Sequence, residues 1–414
     1  MKKNSFIPLP NQYTYDTIQP DVLRLIEEMK IKEIISRHPY KITEPKDEKA
    51  RWSTYVNTDK GRKKIARSSY SSLQQALIEF YEDDNIKKNT LETLYQDWLN
   101  KKSISTKSTE TLRRHSQHWN RYYLNNPVVS IPLQKLTKEH IEDFFHLTIK
   151  KYKLTKKELN NMKLIFKGIL EFAYDRNIIF INPWDKCKLN TGLCRHVPKK
   201  SNETQVYLPK DIEAIFLAME ATLKDYPDMT SIYAIQLIFQ LGVRVGELVA
   251  LKWSDIEGNY VHVQRMESKQ STMSMDGTFT TPRRVIVEHV KTNNDEGNRK
   301  LYLTEKARII LNTVREINQE YHFGEDDFIF CNAKGRINSR NIANRIEKLC
   351  HNANIMVKSS HDIRRTFASL LDANGVPLDE IRRALGHRDE RTALGYLFNP
   401  YGNDKTEQLY ESAL

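Results

Sequence analysis

The stretch Thr155–Asn177 limits what this chain can fold into more than any other. Thr155-Lys156-Lys157-Glu158 has the pattern of a capping box, in which the Thr and Glu side chains satisfy amide donors exposed at a helix start. Behind it Leu159, Met162, Ile165, Phe166, Ile169, Leu170 and Ala173 recur at helical spacing. Such a stripe is core, because an isolated helix gains most of its stability by burying one apolar face.

Helical patterns nearby supply the cover, near Thr90–Asn100, Ser108–Leu124 and Thr137–Lys150. Residues 88–187 therefore read as all-helical, ending at Asn182-Pro183-Trp184. The polar stretch Thr191–Thr204, with Pro198, Lys199 and Lys200, reads as a linker. The opposite face of the capped helix is basic. Between Lys150 and Lys167, the cations Lys150, Lys151, Lys153, Lys156, Lys157, Lys163 and Lys167 stand against the single acid Glu158. The whole chain leans the same way, with 65 Lys+Arg against 53 Asp+Glu. A polyanion is the natural partner, since neutralising phosphates releases counterions.

Ahead of the helical region, a helix is predicted near Pro20–Ile35. Trp52, Tyr55 and Val56, then a turn at Thr58-Asp59-Lys60-Gly61, then Lys64, Ile65 and Ala66 predict a hairpin. A helix over Ser71–Glu82 should back it. With Arg62, Lys63 and Lys64 near its turn, such a sheet suits the major groove, which admits a two-stranded ribbon. Beyond the linker, helices mix with strands. Val261–Arg265, Val285–Val290 and Arg299–Leu303 predict one small antiparallel sheet.

Several function classes are disfavoured. No run approaches the roughly 18 apolar residues of a membrane span, and the first residues do not read as a secretory signal, so the cytoplasm is the expected location. Four cysteines are too few and scattered for a disulfide framework, and Cys187, Cys194 and His196 lack zinc-site spacing and a fourth ligand. No phosphate-binding Gly-x-x-x-x-Gly-Lys-Ser/Thr loop occurs, and the carboxylates do not assemble into a metal-holding set. No cofactor is expected.

Three short signatures follow one another in the last region: Leu241-Gly242-Val243-Arg244-Val245-Gly246-Glu247-Leu248, His361-Asp362-Ile363-Arg364, and Leu385-Gly386-His387 with Tyr396 nine residues later. Each alone is weak, because an arginine near a helix end is usually a structural ion pair. In this order, behind a basic helical domain, they resemble the catalytic domain of the tyrosine recombinase (phage integrase) family. The match runs from about Tyr207 to Phe398. The three-part layout further resembles integrases of temperate phages and conjugative transposons. The resemblance implies a multidomain protein: a small α+β arm-site-binding domain over residues 1–87, an all-α core-binding domain over 88–190, a linker over 191–204, and a mainly-α catalytic domain with a small antiparallel sheet over 205–414.

Carried over position by position, the resemblance makes Arg244 the first catalytic arginine, His361 and Arg364 the central pair, His387 the second histidine and Tyr396 the nucleophile. The family's catalytic lysine lies in the turn between the second and third strands, where Lys291 is the best match and Lys300 a competitor already on the third strand. The chemistry suits these residue types. Two guanidiniums match the oxygens of an anionic phosphodiester and the charge that builds on them. A phenol with a pKa near 10 needs a base such as His361. Lys291 would protonate the departing 5′ oxygen and His387 would hydrogen-bond the phosphate. Glu247 and Asp362 read as orienting or capping residues.

The implied activity is cleavage and rejoining of DNA attachment sites through a 3′-phosphotyrosine, without metal or ATP, by a tetramer assembled on double-stranded DNA. An accessory DNA-bending or excision factor is left open. Tyr401 and Tyr410 are rival nucleophiles, but spacing from His387 selects Tyr396 and Pro400 should break the helix before Tyr401. The resemblance implies that the tail after Tyr396 packs on a neighbouring protomer. The alternatives are a type IB topoisomerase-like enzyme and a non-catalytic DNA-binding regulator.

Overall fold

A computed structural model of the chain describes residues 31–32, 35–36, 38–47, 50–58, 61–106, 108–198, 201–274, 276–288, 298–400, 407 and 410–411, with backbone alone at 82–87. Two compact units result: Met1–Ser105 with Arg114–Arg195, and Thr106–Arg113 with His196–Leu414. Most of the helix expected near Pro20–Ile35 lies outside the described residues.

In the first unit, β1 (Trp52–Thr58) and β2 (Gly61–Arg67) form the expected antiparallel hairpin, with Thr58 opposite Gly61. Gly61 takes φ 102°, which a residue with a Cβ adopts only under strain. Strand alternation buries Val56 and Ile65 against Leu73, Ala76 and Leu77 of α1 (Tyr70–Lys88). His38 locks the preceding segment onto this module, with Nδ1 2.7 Å from the Tyr81 hydroxyl and Nε2 2.7 Å from Thr54 Oγ1.

The helical part of this unit includes α2 (Leu91–Ser105), α4 (Lys138–Tyr152) and α5 (Lys156–Asp175), with α3 (Thr109–His118) shared between the two units. The capping box forms: Thr155 N–H donates to Glu158 Oε2 at 2.8 Å and Glu158 N–H to Thr155 Oγ1 at 3.3 Å. All seven apolar positions of the predicted stripe are buried, joined by Phe172. The helix expected through Leu124 departs from expectation. It widens into a π-turn at Trp119–Tyr123, where Leu124 N–H reaches back to the Trp119 carbonyl. Aromatic packing accompanies the wider turn: Trp119 stacks on Tyr95 at 4.0 Å and on Tyr123 at 5.0 Å, and the Tyr123 hydroxyl donates to the Met162 carbonyl. Such tertiary packing overrides local helical register.

The second unit is built on α7 (Thr230–Leu241). Its Ile232, Ala234, Ile235, Leu237 and Ile238 are fully buried, so it is apolar on nearly every side, as a helix inside a core must be. Helices α9 (Glu305–Glu320), α10 (Ser339–Asn352) and α11 (Ser360–Ala373) pack on it, and α6 (Pro209–Asp225) packs on α10. The strands differ from the single sheet expected. β3 (Ile256–Glu257), β4 (Tyr260–Val263) and β7 (Arg299–Tyr302) make one three-stranded sheet, while β5 (Met266–Gln270) and β6 (Arg283–Val287) form a separate hairpin. The break falls at Gln264–Arg265. Both side chains turn to the buried Asp255: Gln264 at 2.8 Å, and Arg265 with one amino group against both carboxylate oxygens. That pull ends one ladder and starts another.

Candidate active site

Helix α7 stops at Gly242, which is left-handed at φ 60°, and α8 (Val245–Leu248) starts three residues later. Arg244 sits at this corner. Glu247 folds back on it, accepting from the Arg244 backbone N–H at 3.0 Å and from its Nη1 at 2.7 Å. Glu247 is 0% exposed. Burial alone would raise its pKa. Arg299, by charge and hydrogen bond, then Arg244 and Arg364, outweigh that and bring it to about 2.

Helix α11 presents His361 and Arg364 one turn apart, and Ser359 caps its start with Asp362 in the capping role expected. Arg364 is 1% exposed. Its Nη1 donates to the Gly242 carbonyl at 2.7 Å and its Nη2 to the Leu385 carbonyl. Burial first, then Arg244, pulls its pKa to about 9, so it stays charged near neutrality. Nη2 also lies 3.2 Å from His387 Nε2. A guanidinium has donors only, so His387 Nε2 must accept and its proton must sit on Nδ1. Burial and then Arg364 lower the His387 pKa to about 3, in keeping with a neutral ring. His387 Nδ1 and Arg364 Nε are both buried with no protein partner, which leaves two N–H donors available to a ligand.

Tyr396 follows α13 (Glu390–Leu394). Its hydroxyl is 3.1 Å from His361 Nε2, and its ring meets those of His361 and His387 edge-on at 5.1 and 4.7 Å. Partial desolvation and the nearby Arg364 lower the His361 pKa and favour its neutral ring, whose Nε2 can take the phenolic proton in the tautomer that carries its hydrogen on Nδ1. The α11 helix therefore carries His361, one of the two histidines that meet the tyrosine. Its fully buried Ser369 also fixes the turn, donating to the Tyr396 carbonyl at 3.3 Å and accepting from Phe398 N–H at 3.1 Å.

Five of the six expected residues, Arg244, His361, Arg364, His387 and Tyr396, thus come together in one site. Lys291 lies outside the described residues. Its competitor Lys300 is on β7 with its ammonium 2.9 Å from Glu257. The expected DNA-contacting lysines also group. Lys150, Lys151, Lys153, Lys156 and Lys157 are exposed around the turn between α4 and α5, and Lys163 is half-buried further along α5. The hairpin trio divides. Arg62 and Lys64 face the same way as Asn57 and Tyr55, whereas Lys63 pairs with Val56, whose face is covered by α1.

Three neighbours of the site escaped sequence reading: Ser369, Arg365 and Arg299. Arg365 donates to the Gly395 carbonyl at 2.5 Å and lies 5.3 Å from the Tyr396 ring. It adjoins Arg364 in sequence, a hint of a kind, but doubled arginines are common. Arg299 gave no signal beyond opening a strand. It is almost fully buried, donating to Glu247 Oε2 at 2.8 Å and to the Ala384 carbonyl at 2.7 Å. Among the described residues no group of three or more His, Cys, Asp or Glu is arranged to hold a metal ion, and no helix is long and apolar enough to cross a membrane.

Residues 205–400 match the model of the phage integrase family. The XerC-like tyrosine recombinase of Caldanaerobacter subterraneus subsp. tengcongensis is 25% identical over 72% of this chain and 76% of its own. The ICEBs1 integrase of Bacillus subtilis is 24% identical over 74% of this chain and 79% of its own. The fold is shared with the Tn1549 transposon integrase solved with transposon right-end DNA (TM-score 0.58, 16% identity, 78% of this chain and 100% of that one). It is also shared with a lambda integrase tetramer solved on a Holliday junction (TM-score 0.53, 14% identity, 84% of this chain and 93% of that one). Buried Arg364 and half-buried Arg244, with two histidines and a tyrosine, thus lie within a phage integrase family domain that spans residues 205–400 of this chain.

Proposed function

We propose that the protein is a site-specific DNA recombinase of the integrase type, cleaving and rejoining attachment sites through Tyr396. One observation carries the reading: the Tyr396 hydroxyl is hydrogen-bonded to His361, beside buried Nδ1 of His387 and Nε of Arg364 that have no protein partner. Buried donors normally have partners. A phosphodiester oxygen is an acceptor of the right charge for both.

In the reaction, His361 Nε2 takes the Tyr396 proton as the phenolic oxygen attacks phosphorus. The bond to the 5′ oxygen breaks, leaving a 3′-phosphotyrosine and a 5′ hydroxyl. Arg244 and Arg364 offset the charge on the non-bridging oxygens, and His387 donates from Nδ1. Lys291, from the segment between β6 and β7, protonates the leaving oxygen. Phosphodiester energy is kept in the tyrosyl ester, so rejoining needs no ATP. Residues 1–87 serve arm sites, 88–190 grip core DNA through the α4–α5 lysines, and 205–414 perform the chemistry. The lambda integrase tetramer on a Holliday junction supports assembly of four protomers on two duplexes. The cytoplasm is the compartment that suits such work. The tail expected to link protomers falls mostly outside the described residues.

A nicked suicide substrate carrying the attachment site tests the proposal. Wild type should accumulate covalent protein–DNA complex and Tyr396→Phe none, while both bind the site equally. Absence of complex from wild type on its own site would overturn the reading.

A further inference from the structure

We propose that Arg299 is a positioning residue that keeps the two sides of the phosphate-binding group, Arg244 on one and His387 on the other, in register. The inference rests on the recombinase reading of the site. Arg299 opens β7 and works in two directions. Towards α8, its Nη2 donates to Glu247 Oε2 at 2.8 Å, and the other oxygen of that carboxylate holds Arg244 Nη1 at 2.7 Å. Towards α12 (Leu378–Leu385), its Nε donates to the Ala384 carbonyl at 2.7 Å. The next carbonyl, of Leu385, accepts from Arg364, and the next residue, Gly386, is left-handed at φ 60°. A Cβ on Gly386 would stand 3.0 Å from Arg299 Nη1, so the glycine also leaves room for the guanidinium. His387 follows directly.

The side-chain type fits the task. A guanidinium has donors along a rigid planar fork and can bond on two edges at once. A lysine ammonium has the charge without that span. Arg299 thus couples β7, the Arg244 corner and the end of α12, three elements distant in sequence.

The electrostatics give this coupling a readable signature. Glu247 is faced by Arg244 from its own corner, Arg299 from β7 and Arg364 from α11. Burial favours the neutral acid, and of the three arginines Arg299 does most to oppose it. With Arg299 gone, the pKa of Glu247 must climb from about 2 towards the working range. A protonated Glu247 would no longer hold Arg244 as a charged pair.

The test uses the full chain on the nicked suicide substrate, with single-turnover rates from pH 5 to 8. Wild type is compared with Arg299→Lys, Arg299→Met, Glu247→Gln and the Arg299→Met/Glu247→Gln double variant. DNA affinity and thermal unfolding are followed in parallel. Arg299→Met should cleave on the order of 10²-fold more slowly, the scale expected of a displaced catalytic group. It should bind DNA as wild type does and lose further activity below neutrality. Arg299→Lys should restore the pH profile but only part of the rate. The double variant should lack this added acid-side loss, because Glu247 is gone, and keep only the fall at lower pH set by His361. A wild-type rate and profile in Arg299→Met would overturn the inference. So would a pH-independent loss that tracks a lowered unfolding temperature. If the wild type itself forms no covalent complex, the recombinase reading falls first, and this inference with it.

Discussion

Tyr396 and His361 meet within one chain, hydroxyl oxygen to Nε2 at 3.1 Å. In the proposed mechanism the base and the nucleophile then belong to the same protomer. The His361 pKa is held below the ordinary 6.5 by burial and by Arg364. A general base works in its unprotonated form. The lowered value means that His361 stays competent at pH values where an ordinary histidine would be charged. The acid-side midpoint of cleavage by wild type should therefore fall below the ordinary 6.5. His361→Gln should slow covalent complex formation by about 10²- to 10⁴-fold without weakening DNA binding, the usual worth of a general base. A wild-type rate that halves at pH 6.5 or above would contradict the geometry.

His387 makes a prediction about stability. Its ring is neutral in the folded state with a pKa of about 3, against 6.5 when unperturbed. Between those values the unfolded chain binds the proton and the folded chain does not. Stability therefore rises with pH across that window, is fully present above about 6.5, and is lost as pH falls towards 3. Each pH unit inside the window costs up to about 1.4 kcal/mol from this residue. Thermal unfolding at neutral and acid pH checks it. His387→Gln should unfold with a smaller difference between the two than wild type.

Much of this site was legible because its residues stand at sequence punctuation. Gly242 and Gly386 end helices in left-handed conformation, and Arg244 and His387 follow them at fixed short offsets. His361 and Arg364 share one helical face by spacing alone. What was not legible depends on contacts remote in sequence. Arg299 matters because Glu247 and Ala384 meet it, and no local pattern encodes that meeting. The split of the predicted sheet is of the same kind: the run from Val261 is interrupted because Arg265 and Gln264 are drawn to Asp255. The π-turn at Trp119–Tyr123 likewise accompanies a stack on Tyr95. Local propensity sets elements, and tertiary partners decide where they break.

Gly242 tests whether the helix-ending turn is part of the site. Its carbonyl accepts from Arg364 Nη1 at 2.7 Å, and a Cβ there would strike the Phe367 ring. The left-handed conformation adds a cost for any other residue. Gly242→Ala should destabilise the protein by about 1–3 kcal/mol, the range for strain with overpacking. It should also slow cleavage more than it weakens DNA binding, since the displaced carbonyl takes Arg364 with it. Denaturant unfolding and suicide-substrate kinetics on one variant measure both. Destabilisation with normal cleavage would detach the turn from the chemistry.

The amino-terminal hairpin yields a prediction that separates three adjacent cations. Side chains directly opposite in an antiparallel pair share a face. Arg62 is opposite Asn57 and Lys64 opposite Tyr55, whereas Lys63 is opposite Val56, which is buried against α1. The open face therefore carries Tyr55, Asn57, Arg62 and Lys64, with the Arg62 guanidinium 5.8 Å and 6.0 Å from the Tyr40 and Tyr55 rings. A ribbon entering a major groove would put this face on DNA. Each cation that neutralises a phosphate contributes about 0.9 to the slope of log affinity against log salt. Arg62→Ala and Lys64→Ala should each lower that slope by about one on arm-site duplex. Lys63→Ala should leave it unchanged. Equal effects from all three would mean that the hairpin acts only as a diffuse positive charge, with no preferred face towards DNA.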